Sequence, residues 1–124
     1  MKTSITKEIT FDSAHHLGNG YKGKCANVHG HTYHLFITIT LREGATLDEF
    51  GFIMDFSKLK EIWEYNFALR FDHQDLNITV PQPTAENIAR KLFEEMRLFI
   101  DNESFFLERL KLYETPTSYA EVSV

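Results

Sequence analysis

Alternation of apolar and polar residues over residues 31–41 constrains the fold of this chain more than any other feature. The odd positions from 33 onward are apolar, and three even positions are threonines; the odd-position apolar residues are Tyr33, Leu35, Ile37, Ile39 and Leu41. Because successive side chains of a strand point to opposite faces, this pattern predicts a β-strand with one buried face. Residues 3–15 alternate in the same phase, with Ile5, Ile9 and Phe11 at odd positions, and predict a second strand.

Two amphipathic helices are predicted after these strands. Residues 56–69 place apolar side chains at helical spacing, and Asp55 or Ser57 is suited to cap the first turn. A second helical pattern follows Thr84, which we predict to be its N-cap. Glu86 then lies in the first turn, where a negative charge interacts favourably with the helix dipole.

Two further strands complete the predicted fold, at about residues 106–114 and 118–124, on either side of a Thr-Pro-Thr turn. The order predicts the α+β class, with two helices inserted between strands 2 and 3 of a four-stranded antiparallel sheet. A length of 124 residues and a hydrophobic content of 43% fit one domain over residues 1–124. Because two helices leave part of such a sheet poorly covered, we expect self-association.

Composition excludes several classes of protein. The net charge is -5 and the acidic residues are dispersed, so we expect no nucleic-acid partner, which would need a basic face. The N-terminus lacks the apolar run of a signal peptide, and no stretch approaches the ~20 apolar residues of a membrane span. We therefore expect a soluble, cytoplasmic protein with no membrane partner. Cys25 is the only cysteine, which rules out an intrachain disulfide.

Three of the six histidines are predicted to converge on a metal ion. His29 and His31 share the phase of the apolar face of their strand, because residues two apart in a strand point to the same side. His15 is in phase with the buried residues of the first strand if no bulge precedes it, whereas His16 points away. Three imidazoles with an open fourth position are typical of catalytic zinc. The alternative is an ordinary set of turn and strand-end histidines.

Cys25 lies four residues before His29 and allows three interpretations. It is a fourth zinc ligand, a small buried side chain, or an acid/base residue beside the metal. The first would close the site and favour a structural zinc, whereas the third would leave an open catalytic position. The spacing alone does not choose between them.

An Asp-His pair, Asp72 and His73, falls in the predicted loop between the helices. Such a pair is usually bonded to nearby backbone, and only proximity to Cys25 would make it a proton relay. Glu114 shares the phase of Leu110 and the other apolar residues of its strand, Phe106 and Leu112. It either reaches solvent at the strand end or anchors a ligand that offers paired N–H donors.

Six short motifs follow one another in order along nearly the whole chain: Phe11-Asp12-Ser13-Ala14-His15, Cys25-Ala26-Asn27-Val28-His29-Gly30-His31, Gly51-Phe52-Ile53-Met54-Asp55-Phe56, Asp72-His73-Gln74-Asp75-Leu76-Asn77, Pro83-Thr84-Ala85-Glu86-Asn87 and Glu114-Thr115. Together they resemble the 6-pyruvoyl-tetrahydropterin synthase and 6-carboxytetrahydropterin synthase family. The resemblance implies the tunnelling fold (T-fold), whose subunits pair their sheets into a barrel, usually as a homohexamer built from two trimers. It also implies Zn²⁺ on His15, His29 and His31.

The resemblance implies catalytic roles for three residues that the patterns alone left open. It makes Cys25 the proton-transferring residue, with Asp72 and His73 as its relay. In this family active sites form between subunits, so the Asp-His pair of one subunit is expected to serve the cysteine of a neighbour. The resemblance also makes Glu114 the carboxylate that grips the pterin, with Thr84 and Glu86 near the same pocket.

The three residues between the cysteine and His-Gly-His resemble the bacterial 6-carboxytetrahydropterin branch, which acts in queuosine biosynthesis. The animal pyruvoyl enzymes carry two more residues at this place. The bacterial branch converts 7,8-dihydroneopterin triphosphate to 6-carboxy-5,6,7,8-tetrahydropterin, acetaldehyde and triphosphate. The alternatives are a 6-pyruvoyl-tetrahydropterin synthase and a non-catalytic module that binds zinc or a pterin.

Overall fold

The computed structural model describes all 124 residues and confirms the predicted α+β class and order of elements. The strands are β1 (Ser4–His15), β2 (His29–Leu41), β3 (Phe105–Thr115) and β4 (Ser118–Ser123). The helices are α1 (Phe56–Asn66), α2 (Ala68–Phe71), α3 (Leu76–Thr79) and α4 (Ala85–Ile100). All four helices lie between the second and third strands. α3 was not predicted, and the start of α2 was predicted as the end of the first helix.

The strands form one antiparallel sheet in the order β1-β2-β3-β4. β1 and β2 pair without interruption, from Ser4 opposite Thr40 to His15 opposite His29. No bulge therefore shifts the phase before His15. The prediction that His15, and not His16, faces the cluster depended on this condition.

One cluster of 23 buried apolar residues lies between the sheet and the helices. The odd positions of β2 from Tyr33 to Ile39 belong to it, as the alternation predicted. The even positions of β1, such as Thr6 and Glu8, lie on the opposite, exposed face of the sheet. Burying each large side chain stabilises the fold by about 1.5–3 kcal/mol relative to leaving it exposed.

The helix predicted over residues 56–69 is two helices. Asp55 caps α1 by accepting a hydrogen bond from Ser57 N at 2.9 Å. α1 ends at Asn66, and α2 begins after Phe67, whose φ of -127° is not helical. Phe67 is buried in the same core, so the apolar stripe continues across this break. The apolar pattern therefore does not indicate that the helix is interrupted. None of the helices combines the length and apolar character that a membrane span requires.

A bulge in β3 corrects the phase predicted for that strand. Leu107 pairs with Ile39 while Arg109 pairs with Thr38, so one extra residue separates the two pairs. The buried residues are Leu107, Leu110 and Leu112. The prediction that Phe106 shares their phase was wrong, because an extra residue reverses the face of every position before it.

Candidate metal centre and active site

Three histidines meet at the end of the β1–β2 pair, as their strand phase predicted. His15 and His29 are direct partners across the two strands, and His31 follows two residues later on the same face. One ring nitrogen of each histidine lies within 4.8 Å of the corresponding atoms of the other two. The Nε2 atoms of His15 and His29 are 3.0 Å apart. This cluster is able to hold a metal ion.

Backbone carbonyls determine which ring nitrogens of two histidines are free. His15 Nδ1 lies 2.6 Å from Pro83 O, and His29 Nδ1 lies 2.7 Å from Asn27 O. A carbonyl oxygen only accepts hydrogen bonds, so each Nδ1 carries the proton and each Nε2 keeps its lone pair. A histidine whose Nδ1 donates to a carbonyl while Nε2 faces the ion is the usual arrangement of a metal ligand. Sequence reasoning missed both carbonyls, because backbone acceptors leave no signal in residue identity.

The third histidine has an unmatched buried nitrogen. His31 Nε2 is shielded from solvent and has no hydrogen-bond partner. Burial lowers the pKa of His31 below its ordinary value; the charge of Glu114 opposes this effect, and His15 and His29 reinforce it. The neutral imidazole that results is the form that binds a metal. Ligands at ~2.0–2.1 Å from zinc in a tetrahedron lie about 3.3 Å apart, so the three residues fit this ion.

Glu114 faces the same side of the sheet as the buried Leu112, two residues earlier, as its strand phase predicted. Its carboxylate Oε1 lies 3.3 Å from His15 Nε2 and 3.6 Å from His31 Nε2. Tyr113 pairs with Tyr119 and Thr115 with Ser118, so a bulge leaves Glu114 without a partner in β4. Glu114 reaches solvent in part, since 28% of its side chain is exposed, and it also contacts the two histidines.

Glu114 and Glu86 line one small cavity, together with Ala85 and the first three residues of β4. The structure thus brings two of the three predicted substrate-binding residues together. Thr84 has a different contact, because its hydroxyl caps α4 by accepting from Asn87 N at 3.1 Å. Its predicted N-cap role is confirmed, and the cap fixes the first turn of the helix that carries Glu86.

Asp72 and His73 lie against the edge of β1. His73 Nδ1 is 3.0 Å from Asp72 Oδ1, and the same oxygen accepts from Asp12 N at 3.0 Å. His73 has a φ of 54°, a conformation that is uncommon for residues other than glycine and that concentrates at functional sites. Asp12 completes a cluster with this pair and was missed from the sequence, since only the docking of residues 71–75 on β1 brings it there.

Cys25 lies in a short 3-10 turn, Lys24–Ala26, and is partly exposed. Its thiol joins neither the histidine cluster nor the Asp12–Asp72–His73 cluster. The interpretation of Cys25 as a fourth ligand of a closed site is therefore wrong for the isolated chain. A single chain also does not bring the thiol together with the Asp72–His73 pair.

Known proteins resemble this chain over nearly its whole length. A profile of the family described as 6-pyruvoyl tetrahydropterin synthase matches residues 4–124. Two proteins named 6-carboxy-5,6,7,8-tetrahydropterin synthase are among the relatives. The protein of Rickettsia typhi is 34% identical, covering 94% of this chain and 97% of its own length. The protein of Haemophilus influenzae is 35% identical, covering 94% and 96%.

A solved structure has the same architecture. The 6-pyruvoyl tetrahydropterin synthase of Caenorhabditis elegans superposes with a TM-score of 0.82 at 23% identity, covering 100% of this chain and 96% of its own. At this identity the likeness establishes the fold, and the predicted tunnelling fold is confirmed. The profile match over nearly all of the sequence, together with relatives about one-third identical over their full length, establishes the family. The chain belongs to the 6-pyruvoyl tetrahydropterin synthase family.

Proposed function

We propose that this chain is a zinc-dependent lyase that converts 7,8-dihydroneopterin triphosphate to 6-carboxy-5,6,7,8-tetrahydropterin, acetaldehyde and triphosphate, in queuosine biosynthesis. The observation that carries this proposal is the convergence of His15, His29 and His31, with Nε2 lone pairs of the first two facing each other. It occurs in a chain whose relatives at about one-third identity are named 6-carboxy-5,6,7,8-tetrahydropterin synthase.

His15, His29 and His31 would hold the zinc ion through their Nε2 atoms. Three neutral ligands leave the double charge of the ion uncompensated, which favours Lewis-acid chemistry over a purely structural role. When bound, zinc supplies this acidity to the side-chain oxygens of the substrate. The Pro83 and Asn27 carbonyls hold the rings of His15 and His29 in the required tautomer and orientation.

Cys25 acts in this proposal as the residue that moves protons between the pterin ring and its side chain. His73, oriented by Asp72 at 3.0 Å, returns the proton to the thiolate. Because the Cys25 thiol joins neither cluster within one chain, the Asp72–His73 pair is assigned to the thiol of a neighbouring subunit. This assignment requires an oligomer, for which we propose a homohexamer of two trimers in the cytoplasm.

Glu114 and Glu86 would bind the N–H donors of the pterin ring in the cavity that they share. A carboxylate accepts two parallel hydrogen bonds from a guanidine-like edge, which gives both affinity and orientation. Thr84 contributes by fixing the first turn of α4 below this cavity. The proposed partner is a small molecule, a pterin triphosphate. No nucleic-acid or membrane partner is proposed.

The experiment that tests this function is incubation of the purified protein with 7,8-dihydroneopterin triphosphate, followed by identification of the pterin product. We expect 6-carboxytetrahydropterin and an equal amount of acetaldehyde. The second candidate is a 6-pyruvoyl-tetrahydropterin synthase, which the family description favours and which eliminates triphosphate without releasing acetaldehyde. A non-catalytic zinc- or pterin-binding module would give no product.

A further inference from the structure

The contact between Glu114 and the histidines has a consequence beyond pterin binding. His15 Nδ1 donates to Pro83 O, so His15 Nε2 carries a lone pair and cannot donate to a carboxylate. Glu114 Oε1 nevertheless lies 3.3 Å from this nitrogen. Two acceptors facing each other at this distance are unfavourable unless a proton or a cation lies between them.

Two of the distances from Glu114 to the histidines match those between ligands of one ion. Oε1 lies 3.3 Å from His15 Nε2 and 3.6 Å from His31 Nε2, against about 3.3 Å for neighbouring ligands of tetrahedral zinc. The carboxylate lies on the His15–His31 edge of the cluster and makes no such contact with His29. An anionic oxygen at this edge would also compensate part of the double positive charge of the ion, which three neutral imidazoles do not neutralise.

The position of Glu114 in the sheet explains how the carboxylate reaches this edge. The bulge between Tyr113 and Thr115 frees Glu114 from strand pairing. The side chain also borders the cavity that Glu86 lines, so Glu114 contacts both the metal edge and the cavity. The same carboxylate is thus available to the metal when the cavity is empty and to a ligand when it is filled.

We propose that Glu114 is the fourth donor to the metal in the substrate-free protein, and that the N–H donors of a pterin ring draw it away. The fourth position then opens when the ring has bound. This inference rests on the proposed function for the metal and the pterin, and it adds a carboxylate ligand that exchanges between them.

The test is the visible absorption of the Co²⁺-loaded protein, because the d–d bands of Co²⁺ respond to donor type and coordination geometry. We expect Glu114→Gln and Glu114→Ala to change the spectrum and to weaken Zn²⁺ affinity by about tenfold or more. Glu8→Gln is the matched control, since Glu8 contacts His34 Nδ1 at 2.7 Å on the opposite face of the sheet. Its spectrum and affinity should equal those of the wild type.

In the second part of the test, a pterin that carries no side chain is added to the Co²⁺-loaded protein. The wild-type spectrum should shift towards that of Glu114→Gln, and the variant should show little change. Identical Co²⁺ spectra in the wild type and both Glu114 variants would overturn the fourth-donor role, and an unshifted wild-type spectrum at saturating pterin would overturn the exchange. Failure of the wild type itself to bind Co²⁺ or Zn²⁺ would instead refute the metal in the proposed function. Far-UV circular dichroism of the metal-free variants separates these outcomes from misfolding.

Discussion

The Nε2 atoms of His15 and His29 lie 3.0 Å apart, while the Nδ1 proton of each ring is directed to a backbone carbonyl. The two lone pairs therefore face each other, an arrangement that a shared cation makes favourable. The contact follows from the sheet itself, because these residues are direct partners in the β1–β2 register. The capacity to hold a metal ion is in this sense part of the fold.

Replacing Cys25 with alanine should abolish turnover and leave the metal bound. The thiol is outside the histidine cluster, and its loss removes proton transfer alone. General acid–base groups contribute about 100- to 10,000-fold to rate, which sets the expected fall in kcat. Metal content measured by atomic emission should stay at the wild-type level. Loss of zinc from this variant would identify Cys25 as a ligand and refute its assigned role.

Two inactive variants should restore activity to each other if the active site spans two subunits. Cys25→Ala removes the proton-transferring thiol, and His73→Ala removes one residue of its relay. Mixed oligomers formed by refolding the two together should contain some sites with both native residues, about a quarter under random assembly. Each variant refolded alone is the control and should stay inactive. Mixed oligomers without activity would mean that thiol and relay come from the same chain.

Glu95 on α4 should contribute stability that depends on pH. Burial alone would raise the pKa of Glu95, but Arg70 at 2.8 Å and Lys91 outweigh this effect and lower it below the ordinary value of 4.5. The folded state thus binds the proton less readily than the unfolded chain. The contribution is present above about pH 4.5 and is lost as pH falls through the lower folded pKa.

Chemical denaturation of Glu95→Gln measures this contribution. We expect a loss of about 0.5–1 kcal/mol at pH 7, within the range for partly exposed pairs, and a smaller difference from wild type at pH 3. Glu94→Gln is the matched control, because Glu94 is exposed on the same helix and makes no ion pair. A loss of equal size at both pH values would show that packing, not charge, is responsible.

The sequence was sufficient wherever a pattern is local. The alternation in β1 and β2 selected His15 over His16, and it succeeded because no bulge interrupts the pairing. It failed for Phe106, because a bulge depends on the partner strand and leaves no mark in the sequence of its own strand. The direction of Glu114 followed from its phase with Leu112, whereas the bulge that leaves it without a partner in β4 could not be predicted.

Hydrogen bonds to backbone carbonyls and contacts between distant segments were beyond the reach of pattern reasoning. The carbonyls of Pro83 and Asn27 orient two histidines, yet neither residue type signals such a role. Asp12 meets Asp72 only because residues 71–75 dock on the edge of β1. Cys25 belongs to neither cluster of its own chain, so its proposed role rests on family resemblance rather than on spacing.

The most direct test of the account is removal and return of the metal. Chelation should abolish the conversion of 7,8-dihydroneopterin triphosphate, and one Zn²⁺ per chain should restore it. The variant His29→Ala should not be restored, because it lacks one of three ligands, whereas His34→Ala should behave as the wild type, since His34 pairs with Glu8 on the exposed face. Full activity in the chelated protein, or in His29→Ala without bound zinc, would contradict the claim that three histidines hold a catalytic metal.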